Sequence, residues 1–398
     1  MTSEADIQQR RYGRITEEAL AELRARMGKQ YPITQPFNRE VTRDAILHYA
    51  RAVGDTNPLW LDEEYARSTP WGGIIAPPCF LYSVHWGSWD MRRGDGLPGV
   101  HGLHFRDRWE FFRPLRLGDR ADAVKELVGL EEKESNFAGR AVIQTRRIIF
   151  RNQGGELVAT CDMSSYRTER DAARQRGKYK DISPARYSRD DLARIEADYD
   201  AEVIRGATPR YWEDVEVGEE LTPVVFGPLT SADCIAWVMG VGSPHIRAGR
   251  YWLDYRRRTP NVAVVNPETG VPEPVERVHW DNWMAREAGL PYAYDYGSHR
   301  GAISSRVLTN WMGDTGFLKV HDVVYRGFVF LGDTVWYKGT VTGKFLDGPN
   351  QFVLCELQGV NQRQQTVLVG HAIVALPSRE RGPVVFPVEL SQAPEGGS

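Results

Sequence analysis

The 398-residue sequence predicts an α+β fold built from two tandem copies of one unit, each a long central helix wrapped by an antiparallel sheet. Three anchor segments recur in the same order along the chain. In each half a helical segment precedes about four strand-like runs. The length is also natural for two domains, each large enough to bury its own core.

VTRDAILHYARAVGD, from Val41, matches LTSADCIAWVMGVGS, from Leu229, at an offset of 188. Both open on a Thr suited to capping an amphipathic helix, and both place a Gly beside the last residue. LWLDEEYARSTPWGG, from Leu59, matches VHWDNWMAREAGLPY, from Val278, at an offset of 219, so the second copy carries 31 extra residues between these anchors. FFRPLRLGD and YRGFVFLGD, ending at Asp119 and Asp333, match at an offset of 214 as a turn between strands.

The helical segments are CFLYSVHWGSWDM in the first copy and GAISSRVLTNWM in the second. Strand-like runs follow near HFRDRWEFF, ADAVKELVGL, GRAVIQTRRIIF and LVATCDMSSY, and then near KVHDVVYRGF, TVWYKGTVTGKF, QFVLCELQGV and TVLVGHAIVAL. The expected organisation is an N-terminal domain over 1–180, a charged linker with a solvent-facing helix over 181–208, and a C-terminal domain over 209–380 with an insertion at 244–275. A tail follows over 381–398, in which LSQAPEGGS reads as disordered.

With 50 Lys+Arg against 53 Asp+Glu, the formal charge of −3 gives no global pull toward nucleic acid or anionic lipid. No stretch approaches the roughly 18 apolar residues of a membrane span, and the polar N-terminus lacks an apolar targeting region, so a soluble cytoplasmic protein without membrane or nucleic-acid partners is expected. Cys79, Cys161, Cys234 and Cys355 form no C-x-x-C pair and read as small core residues. The nine histidines show no metal-ligand spacing, so no metal is expected.

The run Tyr49…Gly54-Asp55-x-Asn57-Pro58…Asp62…Ala66-Arg67…Gly72-Gly73-x-Ile75-Ala76 resembles the MaoC-like, hydratase-2 branch of the hotdog-fold superfamily. From about Tyr211 the second copy looks like another such domain, so the resemblance covers most of 30–380 as a double hotdog, a pseudo-dimer of two hotdog domains. It implies hydration of a trans-2-enoyl-CoA to a 3-hydroxyacyl-CoA of R configuration, or the reverse dehydration. It further implies an acyl-CoA ligand, no cofactor, and a homo-oligomer, a dimer of double hotdogs.

That reaction needs a base for water, an acid for Cα, and donors for the oxygen on which enolate charge develops. The family's catalytic turn reads G-D-x-N-P-x-H, and its loop into the helix commonly reads Ala-His-Gly. The first copy keeps Asp55, Asn57 and Pro58, but Trp60 replaces the His and indole cannot act as a base. Its loop has Pro78, which lacks an N–H while still starting a helix well. In the second copy His279 takes the place of Trp60, and Gly297 the place of Pro78. The resemblance therefore implies His279 as base and water ligand, and the Gly297 N–H as oxyanion donor.

Ser243, however, stands where Asp55 is expected. Glu276 is the first choice for a replacement carboxylate orienting His279, on proximity; Glu273, Asp254 and Asp295 are the others. Asp281 and Asp62 both read as helix caps. Tyr296, and beside it Tyr294, are candidates for an acid or oxyanion donor, with core packing an equal alternative for each. Asp55, Tyr294, Ser298, Arg247 and Arg250 are candidate substrate contacts, and the insertion's arginines suit phosphate or carboxylate as well as an ordinary solvated loop. His245, beside Ser243 and Pro244, is another candidate for orienting water, with a solvent-facing histidine the preferred reading. Asp55 is either a relic that holds its turn or half of a shared site. Thioester hydrolysis with the same water, or a catalytically silent acyl-CoA-binding or partner subunit, are the competing functions.

Overall fold

The computed structural model describes residues 13–88, 96–97, 100–135, 139–169 and 182–391. Residues 1–12, the end of the first copy's helical segment, the start of the charged linker and the tail from 392 lie outside the described residues. The first half contributes β1 (Gln30–Pro32), β2 (His101–Phe111), β3 (Ala121–Ser135), β4 (Gly139–Asn152) and β5 (Leu157–Thr168). The second contributes β6 (Glu220–Phe226), β9 (Phe317–Tyr325), β10 (Val335–Asp347), β11 (Asn350–Asn361) and β12 (Thr366–Leu376); a separate hairpin in the insertion holds β7 (Ala263–Val265) and β8 (Pro272–Pro274).

Ten strands form one sheet in the order β1-β3-β4-β5-β2-β9-β12-β11-β10-β6. The two halves meet where β2 pairs antiparallel with β9, with Arg108 opposite Asp322. Under the offset of 214 this pair sits at the centre of a pseudo-two-fold. Arg106 on one side forks onto both oxygens of the buried Asp322.

The duplication holds down to single hydrogen bonds. Val41 N donates to Asp119 O and Leu229 N to Asp333 O, both at 2.8 Å. Ala76 N donates to Leu115 O at 2.8 Å, and Asp295 N to Val329 O at 2.9 Å. Isolated bridges join Ile75 to Arg116 and Tyr294 to Phe330 in the same way. Every residue here maps onto its counterpart through the offsets read from sequence.

The anchor helix Arg43–Val53 begins because Thr42 Oγ1 accepts from Ala45 N, and stops at Gly54 in the left-handed region at φ 66°. Its counterpart Ser231–Val241 is capped by a Thr230–Asp233 box. The two helices pack so closely that a Cβ on Gly240 would lie 2.7 Å from the Cβ of Ala52, which only glycine avoids.

The second copy's central helix, Gly297–Met312, is buried on every side, from Ser298 to Met312. It is therefore not amphipathic, and its long polar side chains reach partners inside the protein: Arg306 reaches Glu202 and the Val53 carbonyl, and His299 Nε2 meets the Ala52 carbonyl at 2.7 Å. The first copy departs from the expected long helix. A 3₁₀ turn Pro78–Leu81 and a short helix Tyr82–His85 end at a turn over Trp86 and Gly87. A Cβ at Gly87 would lie 2.7 Å from the Val241 carbonyl oxygen, so the chain turns where it meets the other copy's anchor helix. Strand β6, which edges the second half's sheet, adds a fifth strand to the four runs that the sequence predicts for that half. All four cysteines are buried.

Candidate active site

His279 ends the 3₁₀ turn Val275–His279. Its Nδ1 lies 2.8 Å from the Tyr294 carbonyl, which can only accept, so Nδ1 carries the proton and Nε2 is the basic nitrogen. Burial, outweighing the backbone hydrogen bonds at Tyr294 and Asp295, pulls the imidazole down to about 4 and keeps it neutral. The ring stacks on Tyr296 with centroids 3.6 Å apart, and Tyr294 closes edge-on at 4.9 Å.

Glu276 is buried beside this turn. The Ser243 hydroxyl donates to its Oε2, and the Tyr296 hydroxyl donates to its Oε1 at 2.9 Å. Ser243 Oγ also accepts from His245 N at 2.9 Å, just as Asp55 Oδ1 accepts from Asn57 N at 2.9 Å in the first copy. Ser243 thus repeats the turn-holding bond of Asp55, while Glu276 brings a carboxylate back to the same place. The expectation that Glu276 orients His279 is corrected at Nδ1, where the orienting acceptor is the Tyr294 carbonyl. The loop lies against the 3₁₀ turn, with Tyr294 N donating to the Val278 carbonyl at 3.4 Å, and this places the Tyr294 carbonyl within reach of the ring.

Tyr296 caps the central helix and Gly297 is its first residue. First-turn N–H groups have no partner within a helix and carry the positive end of its dipole, which suits a developing oxyanion. Ser298 is fully buried with no partner for Oγ. Gly297 packs against Tyr325, whose Cδ2 would lie 3.1 Å from a Cβ there.

The other candidates are committed elsewhere. Asp295 forks onto Arg300, at 2.8 and 2.6 Å, inside the core. Glu273 pairs with Arg277, and Asp254 with Arg250 at 2.8 Å on an exposed helix, Gly249–Arg258. Arg247 turns its guanidinium onto the carbonyls of Ser243 and Ile246. Asp281 and Asp62 cap their helices. His245 is buried rather than solvent-facing, with Nδ1 2.9 Å from the Tyr255 hydroxyl, because the insertion's helix covers it. Asp55 is buried and accepts from Trp60 Nε1 at 2.9 Å, holding the indole that replaces the histidine.

That indole lines an apolar cavity in the first copy, together with Pro78, Phe111 and, from the second copy, Leu318. The cavity is the pseudo-symmetric counterpart of the His279 region, stripped of bases and of the helix-start donor.

The sequence reading missed a buried polar cluster on the seam. His104 Nε2 lies 2.6 Å from Asp107 Oδ1, and Asp107 Oδ2 accepts from Tyr82 and, at 2.8 Å, from Tyr325. Burial would raise the Asp107 carboxyl, but His104 and the two phenols outweigh it and hold it below its ordinary value. His104 and Asp107 are three apart in a strand, a spacing that ordinarily points to opposite faces; a bulge at Phe105 brings them together. Among the described residues no cluster of three or more His, Cys, Asp or Glu could hold a metal, and no helix is long and apolar enough to cross a membrane.

Comparison with known proteins bears on both halves. A family model described as the FAS1-like dehydratase domain region matches residues 25–161. A UPF0336 protein of Streptomyces avermitilis is 31% identical over 137 residues, 34% of this chain and 87% of that protein. A 3-hydroxybutyryl-CoA dehydratase of Methylorubrum extorquens is 30% identical over 98 residues, 25% of this chain and 60% of that enzyme. Among solved structures, a MaoC-like dehydratase superposes with a TM-score of 0.62 at 21% identity, covering 89% of this chain and 99% of the other. A conserved hypothetical protein of Mycobacterium tuberculosis, described as a double hotdog fold, superposes with a TM-score of 0.53 at 13% identity, covering 88% and 96%.

Proposed function

We propose that the second copy of this chain, which belongs with the UPF0336 proteins and whose first half matches the FAS1-like dehydratase domain region, adds water to an α,β-unsaturated acyl-CoA thioester, giving a 3-hydroxyacyl-CoA, or runs the reverse dehydration. The observation that carries the reading is His279: a neutral imidazole, its Nδ1 fixed by the Tyr294 carbonyl, stacked on the residue that caps the Gly297 helix. The likeness to an enzyme named 3-hydroxybutyryl-CoA dehydratase supports the substrate class.

In hydration, His279 Nε2 takes one proton from water while the water oxygen bonds to Cβ. The π electrons move through Cα onto the thioester oxygen, which faces the Gly297 N–H. Collapse of that enolate takes a proton at Cα from the His279–Glu276 pair, so the site ends in its starting protonation state. Glu276, held by Ser243 and Tyr296, grips the water from the carboxylate side. Tyr294 and Ser298 border the acyl group, and Arg250, on the exposed insertion helix, is the candidate contact for a CoA phosphate.

The test is a panel of trans-2-enoyl-CoA and 3-hydroxyacyl-CoA thioesters, followed by enoyl absorbance and free thiol. Loss of absorbance with the thioester intact, abolished by His279→Ala, is the expected result. Release of thiol would make the protein a thioesterase, and turnover unchanged in His279→Ala would overturn the assignment of the base.

A further inference from the structure

The bulges in β2 and β9 fall at Phe105 and Lys319, 214 residues apart, so the two strands are equivalent residue by residue across the seam. His104 then corresponds to Leu318, and Tyr325 to Phe111. Leu318 and Phe111 line the first copy's apolar cavity beside Trp60 and Pro78. Carried through the pseudo-two-fold, the four positions around the second site become His104, Tyr325, His279 and Gly297. Three of the four exchange an apolar or donor-less group for one that can donate, and the fourth exchanges an indole, which cannot accept a proton, for an imidazole that can.

Direct contacts agree with this mapping. A Cβ on Gly297 would lie 3.1 Å from Tyr325 Cδ2 and 3.4 Å from the Cβ of His104, so both side chains abut the helix start. Trp86 stacks on His104 with centroids 5.9 Å apart and meets Tyr296 edge-on at 6.4 Å, and Tyr296 in turn stacks on His279. One end of the His104 ring is bound: Nε2 meets Asp107, itself fully buried and gripped by Tyr82 and Tyr325. The other end is not, since Nδ1 is buried with no hydrogen-bond partner. A buried nitrogen left unpaired is destabilising, a cost that an oxygen bound at the helix start would relieve.

We propose that His104 is a catalytic residue of this site, donating from Nδ1 to the thioester oxygen beside the Gly297 N–H. The oxyanion hole then takes one donor from each copy, which rests on the hydratase reading of the second site. With Nε2–H directed at Asp107 and Nδ1–H at the substrate, the ring is an imidazolium whose charge Asp107 balances. No proton leaves His104 during the reaction; it stabilises charge that His279 and water create.

Two variants test this in the full chain with whichever enoyl-CoA the native protein turns over. His104→Leu installs the residue found at the equivalent position, and His104→Gln keeps an N–H donor on a side chain of similar reach. The expected result is a kcat loss of about 10²–10³-fold for His104→Leu with KM little changed, as for deletion of one oxyanion donor, and a smaller loss for His104→Gln. The carbonyl stretch of the same enoyl-CoA bound to His279→Ala protein, read by infrared difference spectroscopy, moves to higher frequency when His104→Leu is added. A kcat within threefold of native, or an unmoved carbonyl band, overturns the role of His104 and leaves His279 as base. If the native protein turns over no enoyl-CoA, the hydratase reading fails and this inference falls with it.

Discussion

The Ser243 hydroxyl donates to the carboxylate of Glu276, 33 residues further along the chain. The serine occupies the position of Asp55 in the other copy and repeats its bond to the backbone of the turn. Position and charge, combined in one aspartate in the first copy, are divided between two residues in the second. Glu276→Gln, which keeps shape and removes charge, is expected to lower kcat by about 10²-fold, within the usual range for a group serving acid–base work. Ser243→Ala, which removes the charge-assisted hydrogen bond to Glu276, of about 1.5–3 kcal/mol, together with the oxygen that accepts from the backbone of His245 and Ile246, should cost roughly tenfold. Steady-state kinetics of both variants checks the order, and equal losses would mean that Glu276 acts only through Ser243.

Trp60 is expected to matter for folding and not for turnover. Its indole N–H satisfies the buried Asp55. Trp60→Phe leaves that carboxylate oxygen without its donor, at a cost of about 1–3 kcal/mol. Denaturant titration should show the loss while kcat stays within about twofold of native. A collapse of kcat at unchanged stability would instead make the first copy part of the chemistry.

Acid should weaken the fold earlier than carboxylate titration alone would. His85, His299 and His321 are buried, and burial pulls each from 6.5 to about 4. Below pH 6.5 the unfolded chain binds protons that the native chain refuses, so stability falls as pH drops through the window from 6.5 to about 4 and returns on raising it. The slope approaches about 1.4 kcal/mol per pH unit for each such histidine. Unfolding free energies measured at pH 7.5, 6.5 and 5.5 check this; a flat profile over that range would show these rings protonated in the native state.

The same sign applies to the base. With His279 drawn down to about 4, its neutral form persists well below the ordinary imidazole range. The acid limb of kcat/KM should therefore fall below pH 6.5. A limb at or above 6.5 in the native protein, absent in Glu276→Gln, would assign that ionisation to another group.

Gly240 measures how firmly the two copies are joined. A methyl there would meet the Cβ of Ala52 at 2.7 Å and the His48 carbonyl oxygen at 3.1 Å. Gly240→Ala is expected to destabilise by about 1–3 kcal/mol, the usual range for overpacking. An unchanged thermal midpoint would show that the anchor helices slide apart freely.

Much of the proposed second-copy site was legible because residue chemistry limits what each position can do. Trp60 cannot be a base and Pro78 cannot donate an N–H, so comparing two copies in one chain was enough to single out His279 and Gly297. Glu276 followed from its nearness in sequence. The short first-copy helix was not legible, because it ends on a contact between Gly87 and Val241 that no window of sequence contains. His104 and Asp107 were missed because their spacing misdirects: only the bulge at Phe105 turns them together.

By itself, then, the sequence determined the duplication, the α+β composition of each copy, and which copy keeps a histidine and a helix-start N–H, since these depend on residue type and periodicity. The tertiary structure alone decided which groups meet. It returned Glu276 to Ser243 across the insertion and set the Tyr294 carbonyl on His279. It also brought His104 from the first copy against Gly297 of the second. Those contacts arise where β2 pairs with β9 and where the insertion folds back on its own copy, and long-range pairing of this kind leaves no periodic trace in the chain.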